Sequence, residues 1–415
     1  MNQENYKYYI IKANDLGNIE FTDLVEKESQ PETDKIEKSQ KKAIWKKVEK
    51  LGLQESTADD IKKKIFSFLD EDVNINIMLG SGCSTPAIKL MGQTFLEYRN
   101  EKGRKKTRQN EIDNILKDFD QKYKDNEKNI ELFISWLGHK IASEKNPGKY
   151  QKTRNELLKK LIDSTKKPKS EDDGGSVLKT YREFFRKIAE TRLDVSDNND
   201  IINVFTTNYD LFIERSLDAE NYQYTNGFTS GIEQKFSIRE FHLRKVDVDE
   251  RYRDKWSPIR PYFRVFKLHG SVNWEKAADE IIQINSYEEI PEDKEIVIAP
   301  SDSKYADSQG TPYSDLFREF GNLINKRNSV LFIDGYGFPD EHINHLLLQA
   351  LKNNDFALVA FINFEELSTN KNLFNFIKKA SSNAYFISGT EANANAHYFE
   401  NIVTLFEPME ENNNE

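Results

Sequence analysis

The sequence predicts an α/β fold, a doubly wound parallel sheet with a large helical insertion, on three observations. The stretch Val73–Thr85, VNINIMLGSGCST, is an apolar, β-branched run that stops at a glycine turn. Later in the chain, short apolar runs alternate with helical patterns, the mark of a parallel sheet covered on both faces. Between the first and second runs, residues from about 95 to 195 carry helical periodicity and no strand signal, too long a segment for an ordinary crossover.

Each element follows from local pattern. Tyr6 to Phe21 suggests a hairpin, with Tyr8–Ile11 on one arm, Ile19 and Phe21 on the other, and Gly17-Asn18 as the turn. Glu26–Lys50 is charged and apolar-poor, a linker or an exposed helix. Thr57 and Asp60 form a capping-box pattern opening a helix with Ile61, Ile65, Phe68 and Leu69 on one face. That helix leads to the strand at Val73. After Gly80-Ser81-Gly82, Thr85 as N-cap and Pro86 at the first helical position predict an immediate helix. Stripes at Ile130, Phe133, Ile134, Leu137 and at Leu157, Leu158, Leu161, Ile162 predict further helices, and Ser164–Gly175 reads as a loop. A helix carrying Val177, Leu178, Tyr181, Phe184, Phe185 and Ile188 returns to the sheet. Strand signals follow at Ile201–Phe205, Arg264–Leu268, Glu295–Ala299, Ser329–Asp334, Phe356–Asn363 and Ala384–Ile387. The helical stripes among them are Leu316, Phe317, Phe320, Leu323, Ile324 and Ile343, Leu346, Leu347, Ala350. These give a lead-in over 1–72, a nucleotide-binding core over 73–94 and 196–406, the insertion over 95–195, and an acidic disordered tail over 407–415.

Composition narrows the function. With 415 residues the chain can bury a substantial core, and 31% charged residues suit long solvated helices. A net charge of -10 argues against direct nucleic-acid binding as the main task. The Lys- and Arg-rich runs Lys38–Lys50 and Lys102–Arg108 have acidic neighbours and read as solvated helix faces. The single cysteine, Cys83, excludes an intrachain disulfide and a cysteine zinc cage. With no apolar run of membrane-spanning length and no signal-peptide layout at Met1–Ile11, a cytoplasmic protein is expected.

In open α/β sheets ligands bind beyond the carboxyl ends of the strands, so the residues just after each strand carry the chemistry. Gly80, Ser81, Gly82 and Ser84 make a Rossmann-like anion-binding corner, although the third glycine of the full dinucleotide fingerprint is Thr85 here. Thr206-Thr207-Asn208-Tyr209-Asp210 follows the next strand, and His269-Gly270-Ser271 the one after. Gly335-Tyr336-Gly337-Phe338-Pro339-Asp340 and Asn363 close the set. Asp210 either caps the following helix or faces the ligand. His342 and His345 share a helical face beside Asp340 and Glu341, but two histidines without a third defined ligand do not make a metal site. His139, His242 and His397 read as surface or packing residues, and Trp136 and Trp274 as core.

On GSGCS, TTNYD, LHGS, GYGFPDEHIN and FIN, in that order and strand context, the chain resembles the sirtuin-like family, and specifically its bacterial anti-phage defence branch of NAD-consuming enzymes. The resemblance covers about Asn74 to Ile387. It implies NAD as substrate, Asn208 and His269 as catalytic residues, and Gly80, Ser81, Gly82, Ser84, Thr207, Asp210, Gly335, Tyr336 and Asn363 as cofactor-binding residues. It further implies cleavage of the nicotinamide–ribose bond to nicotinamide and ADP-ribose, a homo-oligomer, and a HerA-type ATPase ring as partner. Zinc-dependent sirtuin deacylases carry a four-cysteine module that this chain lacks, which favours plain NAD hydrolysis over deacylation or ADP-ribosyl transfer. A non-catalytic module sensing NAD or ADP-ribose is the other alternative.

The chemistry suits these residue types. An oxocarbenium-like transition state needs ribose positioning and a directed water. The neutral Asn208 amide holds a hydroxyl without opposing developing positive charge, and His269 accepts a proton near neutral pH. With a single cysteine, EDTA is expected to leave the melting temperature unchanged; a large fall on chelation would reveal a structural metal held by other residues.

Overall fold

The computed structural model describes residues 6–17, 19, 20, 51, 53–69, 72–124, 129–166, 171–192, 200–252, 255–277, 280–284, 296–298 and 312–407. The expectations for Phe21, for Glu26–Lys50 and for the tail beyond residue 407 lie outside them. In chain order the strands are β1 (Lys7–Ile11), β2 (Glu55–Thr57), β3 (Asn74–Leu79), β4 (Ile201–Thr206), β5 (Gln223–Thr225), β6 (Gln234–Lys235), β7 (Val246–Tyr252) and β8 (Lys255–Pro258). They continue as β9 (Tyr262–Lys267), β10 (Gly270–Ala277), β11 (Glu280–Gln283), β12 (Ile296–Ile298), β13 (Ser329–Asp334), β14 (Phe356–Phe361) and β15 (Ala384–Gly389).

Nine strands form one sheet in the order β2-β1-β15-β14-β13-β3-β4-β9-β5. From β15 to β5 every neighbouring pair is parallel, and β1 and β2 add an antiparallel edge. From β3 the chain builds outward through β4 to β9, and from β13 it builds the other way through β14 to β15. The sheet is therefore doubly wound, with its topological switch point between β3 and β13.

Alternation along the strands supplies two cores. Ile75, Ile77 and Leu79 of β3 face one layer, together with Val204, Val265 and Phe332, under the helices Ala58–Phe66, Glu171–Glu190 and Phe212–Ala219. Met78, Phe205, Phe266 and Leu331 face the other, under Tyr313–Ile324, Glu341–Ala350 and Lys371–Lys379. Two buried asparagines sit in the sheet between these cores. Asn76 and Asn203 are register partners on β3 and β4, the Asn203 amide donates to Asn76 Oδ1 at 3.0 Å, and Asn76 donates to the Val330 carbonyl at 3.2 Å. A slip of one residue would strand these amides, so they fix the register of the central strands.

The capping box at Thr57 forms as the sequence predicts, with Asp60 N–H donating to Thr57 Oγ1 and Thr57 N–H donating to Asp60 Oδ2 at 2.9 Å. Four expectations are corrected. The first arm of the hairpin expected over Tyr6–Phe21 pairs elsewhere: β1 lies between β15 and β2, with Tyr8 and Ile11 buried, and Lys12 N–H donates to Asp15 Oδ2 at the start of a short helix, Ala13–Leu16. No α-helix starts at Thr85 and Pro86. Ser81–Ser84 is a 3-10 turn closed by Thr85 N–H on the Gly82 carbonyl, Ala87 and Ile88 then bury, and the helix begins at Met91. The strand at Glu295–Ala299 forms as β12 but outside the parallel sheet. It pairs antiparallel with β10 in a four-stranded sheet, β12-β10-β11-β6, because the chain leaves His269 directly into β10 and folds back on itself. Most of the loop expected at Ser164–Gly175 is helical: Gly148–Lys166 covers its start and Glu171–Glu190 its end, carried by the buried stripe Val177, Tyr181, Phe184, Phe185 and Ile188.

The helices from Met91 to Lys166 make a third core of their own. Ile130, Phe133, Ile134 and Leu137 are buried there with Phe95, Ile112 and Phe119, and the cluster meets the sheet through Tyr209 and Val272. Helix Glu171–Glu190, by contrast, lies on the sheet itself. Among the described residues no helix is long and apolar enough to cross a membrane.

Phe133 is the keystone of the third core, with its ring 5.0 Å from Phe95, 4.9 Å from Phe119 and 5.8 Å from Trp136. Phe133→Ala should cost about 3–5 kcal/mol in denaturant unfolding. A loss below about 1 kcal/mol would mean that the aromatic cluster adds little to stability.

Candidate functional site

At the switch point two turns pack back to back. Gly80 N–H donates to the Asp334 carbonyl at 2.8 Å, Gly82 N–H to the Gly335 carbonyl at 2.9 Å, and Cys83 N–H to the Gly80 carbonyl at 3.1 Å. A Cβ on Gly80 would lie 2.3 Å from the Gly335 oxygen, and one on Gly335, which has φ +64°, would lie 2.5 Å from Cys83 N. These glycines are thus required by the approach of one loop to the other. It follows that the N–H groups of Gly80, Gly82 and Cys83 are bonded within the chain in this structure.

A cavity of about 650 Å³ opens beside this contact, beyond the ends of β3, β13 and β14. Ser81, Gly82, Gly335, Tyr336 and Asn363, five of the residues singled out in the sequence, line it. Asn363 also accepts the Glu365 N–H at 3.0 Å, capping a 3-10 turn over Phe364–Ser368. Gly80 lies behind this wall.

Asn208, Ser84 and Asp210 meet in a buried network next to it. The Asn208 amide donates to the Gly80 carbonyl at 2.9 Å and to Ser84 Oγ at 3.2 Å, and Ser84 donates to Asp210 Oδ2 at 2.8 Å. Tyr181, from the helix on the sheet, brings its hydroxyl within 3.1 Å of Ser84 Oγ. Asp210 also accepts the Phe212 N–H at 3.0 Å at the start of helix Phe212–Ala219, and its carbonyl accepts from Lys267 at the end of β9. Of the two roles open to Asp210 in the sequence, the structure shows the helix-start contact. Thr207 is half-buried beside this network. His269 is 4% exposed on the turn between β9 and β10, with Nε2 3.7 Å from the Asp340 carboxylate. Neither Asn208 nor His269 lines the cavity.

Several cavity residues escape sequence reasoning. Asp334, the last residue of β13, is buried, and its carboxylate accepts the Gly335 N–H at 2.8 Å and faces Cys83 Sγ at 3.5 Å. Burial pushes its carboxyl up to about 7, and burial also raises the Cys83 thiol. His397, read from sequence as a surface or packing residue, lines the cavity, with Nδ1 2.7 Å from the Ala394 carbonyl and burial lowering its pKa. Glu366, Glu400 and Thr180 also line it. A signal existed only for Asp334, one position before the post-strand segment. Among the described residues no group of three or more His, Cys, Asp or Glu side chains could hold a metal ion.

The doubly wound sheet, with a cavity beside its switch point, defines a Rossmann-like α/β architecture. The sequence model of the SIR2-like domain matches residues 202–385, from β4 into β15, which supports a sirtuin-like family and an activity involving NAD, the substrate of such domains. That span includes Asn208, His269, Gly335, Tyr336 and Asn363, whereas the Gly80–Ser84 turn lies upstream of it. No curated protein matches the chain.

The raised carboxyl of Asp334 makes stability depend on pH. Its native form keeps a proton to higher pH than the unfolded form, so its contribution is full below the ordinary aspartate value of 3.8 and is lost as pH rises toward about 7. The loss is at most about 4 kcal/mol. Asp334→Asn should flatten the fall in melting temperature between pH 5 and 8; parallel profiles for variant and wild type would contradict the assignment.

Proposed function

We propose that the protein is an NAD hydrolase that cleaves the nicotinamide–ribose bond to give nicotinamide and ADP-ribose, and that it acts as an NAD-depleting effector in anti-phage defence. The observation that carries the reading is the convergence of four sequence motifs on one end of the sheet: the glycine turn and the Gly335–Asn363 wall line a cavity of dinucleotide size, and the Asn208 and His269 loops follow the neighbouring strands β4 and β9. The charge of the cavity supports it. Asp334, Glu366 and Glu400 line the space and no Lys or Arg does among the described residues. Such a lining disfavours a nucleoside triphosphate and tolerates NAD, whose nicotinamide cation offsets part of its phosphate charge. The defence role rests on the sequence resemblance, as does the expectation that the enzyme works as a homo-oligomer beside a HerA-type ATPase ring.

In the reaction, the C1′–nitrogen bond breaks with its electron pair leaving on nicotinamide, and water adds at C1′. Asn208 positions the ribose or the water, and His269 takes the proton that the water loses.

A second reading, a non-catalytic sensor of NAD or ADP-ribose, is favoured by one observation: both Asn208 amide contacts are spent on Gly80 and Ser84, away from the cavity. Assay of nicotinamide release from NAD separates the two. Asn208→Ala and His269→Ala should each lower turnover by on the order of 100-fold or more in protein that remains folded by circular dichroism. Binding of NAD without release by the wild type would favour the sensor.

A further inference from the structure

Asp340 stands at the N-cap position of helix Glu341–Ala350, where a carboxylate ordinarily bonds the first free N–H groups of the helix, yet its side chain makes no such bond. It reaches instead to within 3.7 Å of His269 Nε2 across 71 residues of sequence, and both groups are nearly sealed from solvent, at 7% and 4% exposure.

The chain is bent to produce this. Phe338, two residues earlier, has φ +58°, a left-handed conformation that a bulky side chain pays for in strain, and it persists because its neighbours hold it. The ring is fully buried 4.6 Å from Phe376, and the Phe338 carbonyl accepts the Asn344 amide at 2.9 Å. Asn370 donates to the Gly337 carbonyl at 2.7 Å and fixes the other side of the loop.

We infer that Asp340 is the positioning residue for His269: its carboxylate faces Nε2, sets the orientation of the imidazole, and balances the charge the ring carries once it has taken a proton. The inference rests on the proposed role of His269. A buried carboxylate needs a charge partner, and a histidine that must become cationic in a sealed site needs an anion; each meets the other's need. The N-terminus of helix Glu341–Ala350 adds a favourable dipole for a carboxylate at this position. Other ionisable groups around the pair are Tyr336 on the same loop, His342 in the helix that follows, and Tyr209 from the loop after β4, which in turn feels Glu131 and Tyr313. Tyr336 also lines the cavity and so lies between the dyad and the ligand space.

The test combines kinetics with histidine-selective NMR on the full chain, the His269 signal being assigned by its loss in His269→Gln. Asp340→Asn should lower kcat for nicotinamide release about 10- to 100-fold with KM changed less than about threefold, and should move the His269 titration midpoint down by about one pH unit. Asp340→Ser keeps a good N-cap residue and removes the anion, so it should match Asp340→Asn, whereas full activity in it would reduce Asp340 to a helix cap. An unshifted His269 titration in folded Asp340→Asn overturns the inference. Should the wild type release no nicotinamide, the hydrolase reading fails, while the titration still decides the coupling between the two side chains.

Discussion

Everything at the ligand end of the sheet depends on how closely the turn after β3 approaches the turn after β13. Adjacent parallel strands carry their following loops side by side, and at a switch point those loops usually part to make a crevice. Here they touch: the Gly80, Gly82 and Gly335 backbones interlock through short N–H···O bonds with no room for a Cβ. This contact joins the two halves of the doubly wound sheet, and it displaces the crevice sideways. The cavity opens next to Asp334 and Asn363, while Asn208 and His269 are left on the far side of the glycine wall. A side chain at any of the three glycines would force the halves apart, and with them the relation between the cavity and the Asn208 network.

The same contact explains the unusual electrostatics. Pressing the loops together buries Asp334 and Cys83 against each other with one backbone N–H for the carboxylate, so burial dominates both and favours their protonated forms. Protonation of Asp334 lowers the negative charge that the cavity presents to a phosphate-bearing ligand. No Lys or Arg among the described residues offsets Glu366 and Glu400 there, and burial raises the Glu366 carboxyl as it does that of Asp334, so the charge of this wall depends on protonation at both.

Much of this was legible in the sequence because strand ends are. Short apolar runs marked β3, β4, β9, β13, β14 and β15, and the rule that ligand residues follow strands found Ser81, Gly82, Gly335, Tyr336 and Asn363 on the cavity wall. What it could not supply was direction. Glycines that let a backbone approach a phosphate and glycines that let it approach another loop look alike in one sequence, and only the register of β3 against β13 tells them apart. His397 and Thr180 were invisible because they reach the cavity from a turn and from a helix face, where neither periodicity nor position marks them. The small sheet was missed for another reason: β6, β11 and β12 are short, and β12 was assigned to the parallel sheet since a short apolar run carries no sign of strand direction.

The position of Asn208 sets a condition on any chemistry at this end of the sheet. Its amide makes two hydrogen bonds, to Gly80 and to Ser84, and Ser84 is tied in turn to Asp210 and Tyr181. Each such bond contributes about 1 kcal/mol net, but breaking one without replacement in a buried site costs about 1–3 kcal/mol. Asn208 therefore stays engaged with its own chain unless an incoming ligand returns hydrogen bonds of equal quality, which a ribose hydroxyl can do and an apolar group cannot. The cost is small beside the binding energy of a dinucleotide and large beside thermal energy. A network of this kind discriminates by chemistry: a group that returns hydrogen bonds can replace Gly80 and Ser84 as the partner of Asn208, and an apolar group cannot.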